Sequence, residues 1–286
     1  MLRRRLMRAG VLALAVSAFA SANASAVTNP IESKYKVAGP SAIATSDVTS
    51  AGSVTYNLLY PADLGAGGVK APIVTWGNGT DAVPSQYSGL LHQLASWGFV
   101  VVASTSTKTG KGTEMLAGAQ YLVTQNATAG SPFYQQLDTT KIAAVGHSQG
   151  AGGAVNATTH SAGLITSTIP IALPSTIWVS PGDEYHPEQL TNPVLFLGGA
   201  NDWLISPPST IAGFYDSVPG AAAKAVLKNA DHNTIQGTGG GFLGYITAWL
   251  RYRLSGDTYA RGAFAGTGPE INTNTAWQNQ AEKQLP

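Results

Sequence analysis

The chain contains no cysteine among its 286 residues. That absence excludes disulfides, a thiol nucleophile and cysteine-ligated zinc, so stability has to come from packing. Charge is scarce too: Asp, Glu, Lys and Arg make up 11% of the residues, and the formal net charge is +1. Such a balance provides no field for tracking nucleic acid or an anionic membrane, and partners of those kinds are not expected. No H-E-x-x-H or similar ligand cluster occurs, so neither a metal nor another cofactor is expected. The segment Thr109-Gly110-Lys111-Gly112-Thr113 has the flavour of a phosphate loop. It lacks the first glycine at the required spacing, however, and Gly112 stands where Ser or Thr must follow the lysine.

Long apolar runs are missing as well, with one exception near the start. Arg3, Arg4, Arg5 and Arg8 precede an apolar stretch from Ala9 to Ala20, and small residues follow to Ala24, Ser25 and Ala26. The stretch is shorter than the roughly 20 residues that a spanning helix needs. Its order is that of a secretory signal peptide cut after Ala24 or Ala26. Residues 1–26 are therefore expected to be a leader, and residues 27–286 one exported catalytic domain with no stable membrane anchor. Three Asn-x-Thr sequons, at Asn78, Asn126 and Asn156, read as chance matches, because two of them fall beside the expected site.

What is present is an alternation of short β-branched runs with longer segments of helical spacing, which predicts a mostly parallel sheet covered by helices on both faces. Predicted strands are 53–60, 72–75, 99–103, 142–145, 169–173, 194–197 and 223–227. Helices are expected over 84–97, 114–125 and 241–254, the second burying Met115, Leu116, Ala119, Tyr121 and Leu122.

The strand ending at Val145 runs directly into Gly146-His147-Ser148-Gln149-Gly150, a G-x-S-x-G pattern followed by small residues. In such a turn the glycines allow a tight strand-to-helix reversal that holds the serine hydroxyl out of the sheet. A serine hydroxyl needs a histidine to take its proton and a carboxylate to orient that histidine, in the chain order Ser, acid, His. Asp202 follows one predicted strand and His232 follows the next, both at carboxyl ends where the crevice of an open α/β sheet forms. Asp231 adjoins His232 too closely to face its ring, Asp216 falls in a helical segment, and Asp183 follows no clear strand. His92, His147, His160 and His186 read as packing or surface residues, with His147 pointing from the opposite side of the turn. Two amide donors are needed for a tetrahedral oxyanion. The backbone N–H of Gln149 is expected as one and that of Asn78, in the loop Gly77-Asn78-Gly79, as the other.

Beyond these motifs, the sequence resembles the bacterial cutinase and polyester hydrolase branch of the α/β hydrolases over roughly Tyr56 to Gly262. The resemblance rests on Leu94-Ala95-Ser96-Trp97-Gly98-Phe99-Val100-Val101, the serine pentapeptide, Asn192-Pro193-Val194-Leu195-Phe196 through Asn201-Asp202, Ala230-Asp231-His232, and Ala248-Trp249-Leu250-Arg251-Tyr252-Arg253. It implies an α/β-hydrolase fold, a serine carboxylic ester hydrolase with Ser148, Asp202 and His232 as its triad, and Asn78 and Gln149 as oxyanion donors. The family usually has an aromatic residue in place of Asn78, often Met in place of Gln149, and a terminal disulfide that a cysteine-free chain lacks. Tyr87, Trp178 and Trp203 are expected near a substrate cleft. The substrate stays open at this level between polyesters, lipids and small-acyl carbohydrate esters, since chlorophyllase-like and acetylxylan-type esterases share the framework. So do acyltransferases, and so would a non-catalytic binding protein.

Overall fold

A computed structural model describes residues 28–49 and 54–286. The expected leader lies outside the described residues. Nine strands form one sheet: β1 (Ile43–Thr49), β2 (Thr55–Pro61), β3 (Ala71–Gly77), β4 (Val100–Ser104), β5 (Leu137–His147), β6 (Ser167–Ile171), β7 (Val194–Gly199), β8 (Ala222–Leu227) and β9 (Trp277–Lys283). Their order is β1-β2-β4-β3-β5-β6-β7-β8-β9. The run from β4 to β8 is parallel, while β1, β2 and β9 pair antiparallel at its two margins. This is the mostly parallel, helix-covered sheet of an α/β hydrolase.

Central strands are buried on both faces, which is why they read as continuous apolar runs. Alternate residues serve opposite layers. Val74, Trp76, Val101 and Ile169 pack on the side of α1 (Pro30–Tyr35), α2 (Ser88–Ser96) and α6 (Leu243–Ser255). Ile73, Val100 and Val102 meet Met115, Ala119 and Leu122 of α3 (Thr113–Ala127), and Val194, Phe196 and Val226 meet α4 (Gln149–Thr159) and α5 (Pro208–Ser217). Each such large aliphatic side chain taken fully out of water contributes about 1.5–3 kcal/mol. Within α3, Leu116 and Tyr121 are only partly buried, so its inward face is narrower than its spacing suggested.

The topology places the site. From β3 the chain crosses to β4 on one side, and from β4 it crosses back over β3 to β5 on the other. The strand order therefore reverses between β3 and β5, and the loops leaving their carboxyl ends diverge around a crevice.

Candidate active site

Strand β5 ends at His147 and α4 begins at Gln149, so Ser148 makes the turn alone. Its backbone is held at φ 54° and ψ −122°, a conformation an L-residue keeps only when its surroundings impose it. The Ser148 amide is tied to the Ile171 carbonyl at 2.9 Å, and its own carbonyl accepts from the Ala151 amide at 2.8 Å. The flanking glycines are required by contact: a Cβ on Gly146 would lie 2.0 Å from the Gly150 carbonyl oxygen, and one on Gly150 2.2 Å from that of Gly77.

The loops after β7 and β8 are joined by the Asn201 amide, which donates to the Ala230 carbonyl at 2.8 Å. They bring Asp202 and His232 to the serine. His232 Nε2 lies 2.8 Å from Ser148 Oγ, and its Nδ1 lies 2.5 Å from Asp202 Oδ2. Because a carboxylate only accepts, Nδ1 carries the proton, and Nε2 is left as an acceptor for the serine O–H. The other Asp202 oxygen accepts from the amides of Ile205 and Ser206, each at 3.1 Å. Burial alone would raise the Asp202 carboxyl, but the His232 hydrogen bond and the two amides outweigh it and hold the group below the usual carboxylate range. The ring is thus presented in the tautomer that can receive a proton from Ser148.

The rival residues fall elsewhere. Asp231 is exposed, and its Oδ1 accepts from the Asn233 amide and the Thr234 hydroxyl within its own turn. His92, His160 and His186 are exposed. His147 departs from expectation: it does not point away from the site but lines the cleft, and its ring centroid is 4.9 Å from that of His232.

Ser148 opens into a cleft of about 270 Å³. Its lining combines the apolar Pro174, Trp178, Val179, Tyr185 and Ile205 with the polar Thr80, Gln149, Ser180 and Asp183. Asp183 Oδ2 accepts from Gln149 Nε2 at 3.3 Å, and burial pushes its carboxyl upward. Trp178 is among the residues that line the cleft. Trp203 is 72% exposed and stands outside the cleft lining, beside the exposed Leu204.

Two expected placements are corrected. Asn78 is fully buried: its Nδ2 donates to the Ser104 and Ser106 carbonyls at 2.6 and 3.0 Å, and its Oδ1 accepts from the Trp76 indole at 2.9 Å. So many inward bonds draw the residue beneath the loop, and it is Gly79 and Thr80 that line the cleft. Tyr87 is likewise core rather than cleft wall, fully buried with its hydroxyl turned toward Gly79 and His147. Thr80 was missed because one polar residue in a Gly-rich turn carries no pattern. The cleft wall between 174 and 185 has no periodicity to mark it either. The sequon residues Asn78 and Asn156 are buried with their side-chain amides engaged.

Comparison with known proteins gives the family. The chain is 27% identical over 240 residues to the bis(hydroxyethyl) terephthalate hydrolase of Streptomyces coelicolor, covering 80% of this chain and 73% of that protein. It is 26% identical over 241 residues to a cutinase of Thermobifida alba, covering 80% and 76%, and 27% identical over 271 residues to the cutinase of Thermobifida fusca, covering 87% and 83%. The profile of the PET hydrolase-like family matches residues 20–283. A match of that extent, on a sheet with a serine at its strand-to-helix turn, means that the chain belongs to the PET hydrolase-like family and is a carboxylic ester hydrolase.

Proposed function

We propose that the protein is an exported serine esterase that cleaves hydrophobic esters through an acyl-enzyme, with Ser148, His232 and Asp202 as its triad. The observation that carries this reading is the unbroken line Ser148 Oγ, His232 Nε2, His232 Nδ1, Asp202 Oδ2, with separations of 2.8 and 2.5 Å at its two hydrogen bonds. His232 takes the hydroxyl proton as Ser148 Oγ bonds to the ester carbonyl carbon. The resulting oxyanion is held by the backbone amides of Gln149 and Thr80. Gln149 opens α4, where a helix's first amides have no intrahelical acceptor. Thr80 faces the cleft, while its neighbours Gly79 and Asp81 donate their amides to Tyr87 and Thr107. His232 then gives its proton to the departing alkoxide. A water, deprotonated in turn by His232, releases the carboxylic acid and restores Ser148. Asp202 fixes the tautomer and balances the imidazolium.

A hydrophobic ester is favoured by the apolar residues of the cleft lining and by what adjoins them. Ile177, Trp178, Trp203 and Leu204 are all exposed, and the Trp178 indole donates to the Leu204 carbonyl at 2.9 Å, joining the two loops into one apolar rim. A water-insoluble ester can rest on such a rim with one bond in the cleft. The relatives named for a terephthalate ester and as cutinases fit that class. Export is supported by the arginines and apolar run of residues 1–26. Among the described residues, no helix is long and apolar enough to cross a membrane.

Reaction with a fluorophosphonate, followed by peptide mass mapping, tests the mechanism. One adduct on the peptide bearing Ser148, formed in step with loss of aryl-ester hydrolysis, is expected. Hydrolysis that survives full labelling, or labelling at another residue, overturns it.

A further inference from the structure

The reaction as written leaves one buried ionisable group beside the base without a role. His147, the last residue of β5, is 1% exposed and is partnered at both ring nitrogens. Its Nε2 lies 2.7 Å from the backbone carbonyl oxygen of His232, and its Nδ1 lies 3.0 Å from the Tyr87 hydroxyl. The same hydroxyl lies 3.0 Å from the Gly79 amide nitrogen.

The direction of this chain is forced from both ends. A carbonyl only accepts, so the His147 proton is on Nε2. A neutral ring then has Nδ1 as an acceptor, so Tyr87 donates its hydroxyl hydrogen there. The Tyr87 oxygen is left to accept from the Gly79 amide, which only donates. Burial, reinforced by the neighbouring His232, pushes the His147 pKa down to about 3. The ring therefore remains neutral while His232 charges and discharges, and the tautomer that defines the chain does not change. A charged ring 4.9 Å from His232 would oppose protonation of the base.

The two ends of the chain are the two parts of the site that must agree in position. Gly79 precedes Thr80, which lines the cleft and is proposed above as an oxyanion donor, and His232 is the proposed base. We infer that Tyr87 and His147 form a positioning relay through the core, setting the oxyanion loop and the base loop in register on either side of Ser148. This rests on the reading of Ser148 and His232 as the reacting pair. Neither relay residue touches substrate chemistry directly; each acts through the peptide it holds. Hydrogen bonds from the Gly89 amide to the Gly237 carbonyl (2.8 Å) and from the Gly237 amide to the Gln86 carbonyl (2.7 Å) also tie these segments. The segments therefore stay tied without the Tyr87 hydroxyl, whose part in the relay is to hold the Gly79 amide.

The test is steady-state kinetics on a soluble aryl ester with Tyr87→Phe, His147→Gln, His147→Leu and the double variant Tyr87→Phe/His147→Leu, each checked for folding by circular dichroism. Misplacing a group that is complementary to the transition state costs turnover rather than ground-state binding. Tyr87→Phe is expected to lower kcat about tenfold with KM within about twofold of wild type. His147→Gln keeps an N–H for the His232 carbonyl and should retain more kcat than His147→Leu. The double variant should lose no more than His147→Leu alone, since a chain broken twice is still one broken chain. Unchanged kcat in Tyr87→Phe, a change confined to KM, equal loss in Gln and Leu, or single losses that multiply would each overturn the relay. A wild-type protein that hydrolyses no ester would instead remove the esterase reading on which the relay rests.

Discussion

Asp202 holds His232 from one side only: Oδ2 meets the imidazole Nδ1 at 2.5 Å, while Oδ1 is fixed by the amides of Ile205 and Ser206. The carboxylate is thereby held by bonds independent of the histidine, and the ring has one tautomer available. Asp202→Asn keeps the size and turns an acceptor into a donor or a neutral carbonyl. The ring can then flip its proton to Nε2, away from the tautomer that receives the serine hydrogen. The expected result is a fall in kcat of about 10⁴-fold with little change in thermal midpoint. A stopped assay at high enzyme concentration measures it.

Asn78→Ala should act on stability before it acts on chemistry. It leaves the Trp76 indole N–H and the Ser104 and Ser106 carbonyls short of a partner in the core. Each buried group so stranded costs about 1–3 kcal/mol. Urea unfolding should show a loss of at least about 2 kcal/mol. Thr80→Ala, which keeps its amide, should remain within about fivefold of wild-type kcat, because the donor assigned to Thr80 is the peptide and not the side chain.

The buried His147 predicts a specific pH dependence of stability. Its folded pKa of about 3 lies below the unfolded value of 6.5, so between these the unfolded chain binds a proton that the folded protein refuses. Stability from this group is complete above pH 6.5 and declines as pH falls toward 3, with a limiting slope of about 1.4 kcal/mol per pH unit. Asp202 acts in a lower window: its depressed pKa contributes stability that is lost only below the ordinary carboxylate range. Urea midpoints between pH 7 and 4.5 should therefore slope less steeply for His147→Gln than for wild type, even though the variant is weaker overall.

The apolar rim predicts a difference between soluble and insoluble substrates. Trp203→Ala combined with Leu204→Ser removes exposed apolar surface without touching the triad. The ratio of polyester-film hydrolysis to soluble aryl-ester hydrolysis should fall by about fivefold. An unchanged ratio would show that the rim does not dock the substrate phase.

How much of this was readable from the amino acids follows from which residues carry a pattern. The parallel strands were legible because burial on both faces demands unbroken apolar runs, as in Val100 to Ala103. The two outermost strands were not: β1 has one half-buried face, and β9, Trp-Gln-Asn-Gln-Ala-Glu-Lys, buries only Trp277 and is held by pairing with β8. The segment 84–97 divides into a short 3-10 turn at Pro84–Tyr87 followed by α2, a break that apolar spacing does not register. The meeting of Ser148, Asp202 and His232 was legible because each follows a strand end, a position that sequence order reveals. The burial of Asn78 was not legible, since which residues of a glycine-rich turn line the cleft depends on inward bonds to Trp76, Ser104 and Ser106. By sequence, Tyr87 and His147 read as cleft and packing residues respectively. Their chain spans 60 positions from Tyr87 to His147 and 85 from His147 to His232, and no local signal links such separations.

The most direct measurement is kcat/KM for a soluble aryl ester with Ser148→Ala, purified alongside wild type and matched to it by circular dichroism and thermal midpoint. The account predicts a fall of at least about 10⁴-fold with the fold unchanged. A variant that keeps substantial turnover while folded would mean that the hydroxyl 2.8 Å from His232 Nε2 is not the nucleophile.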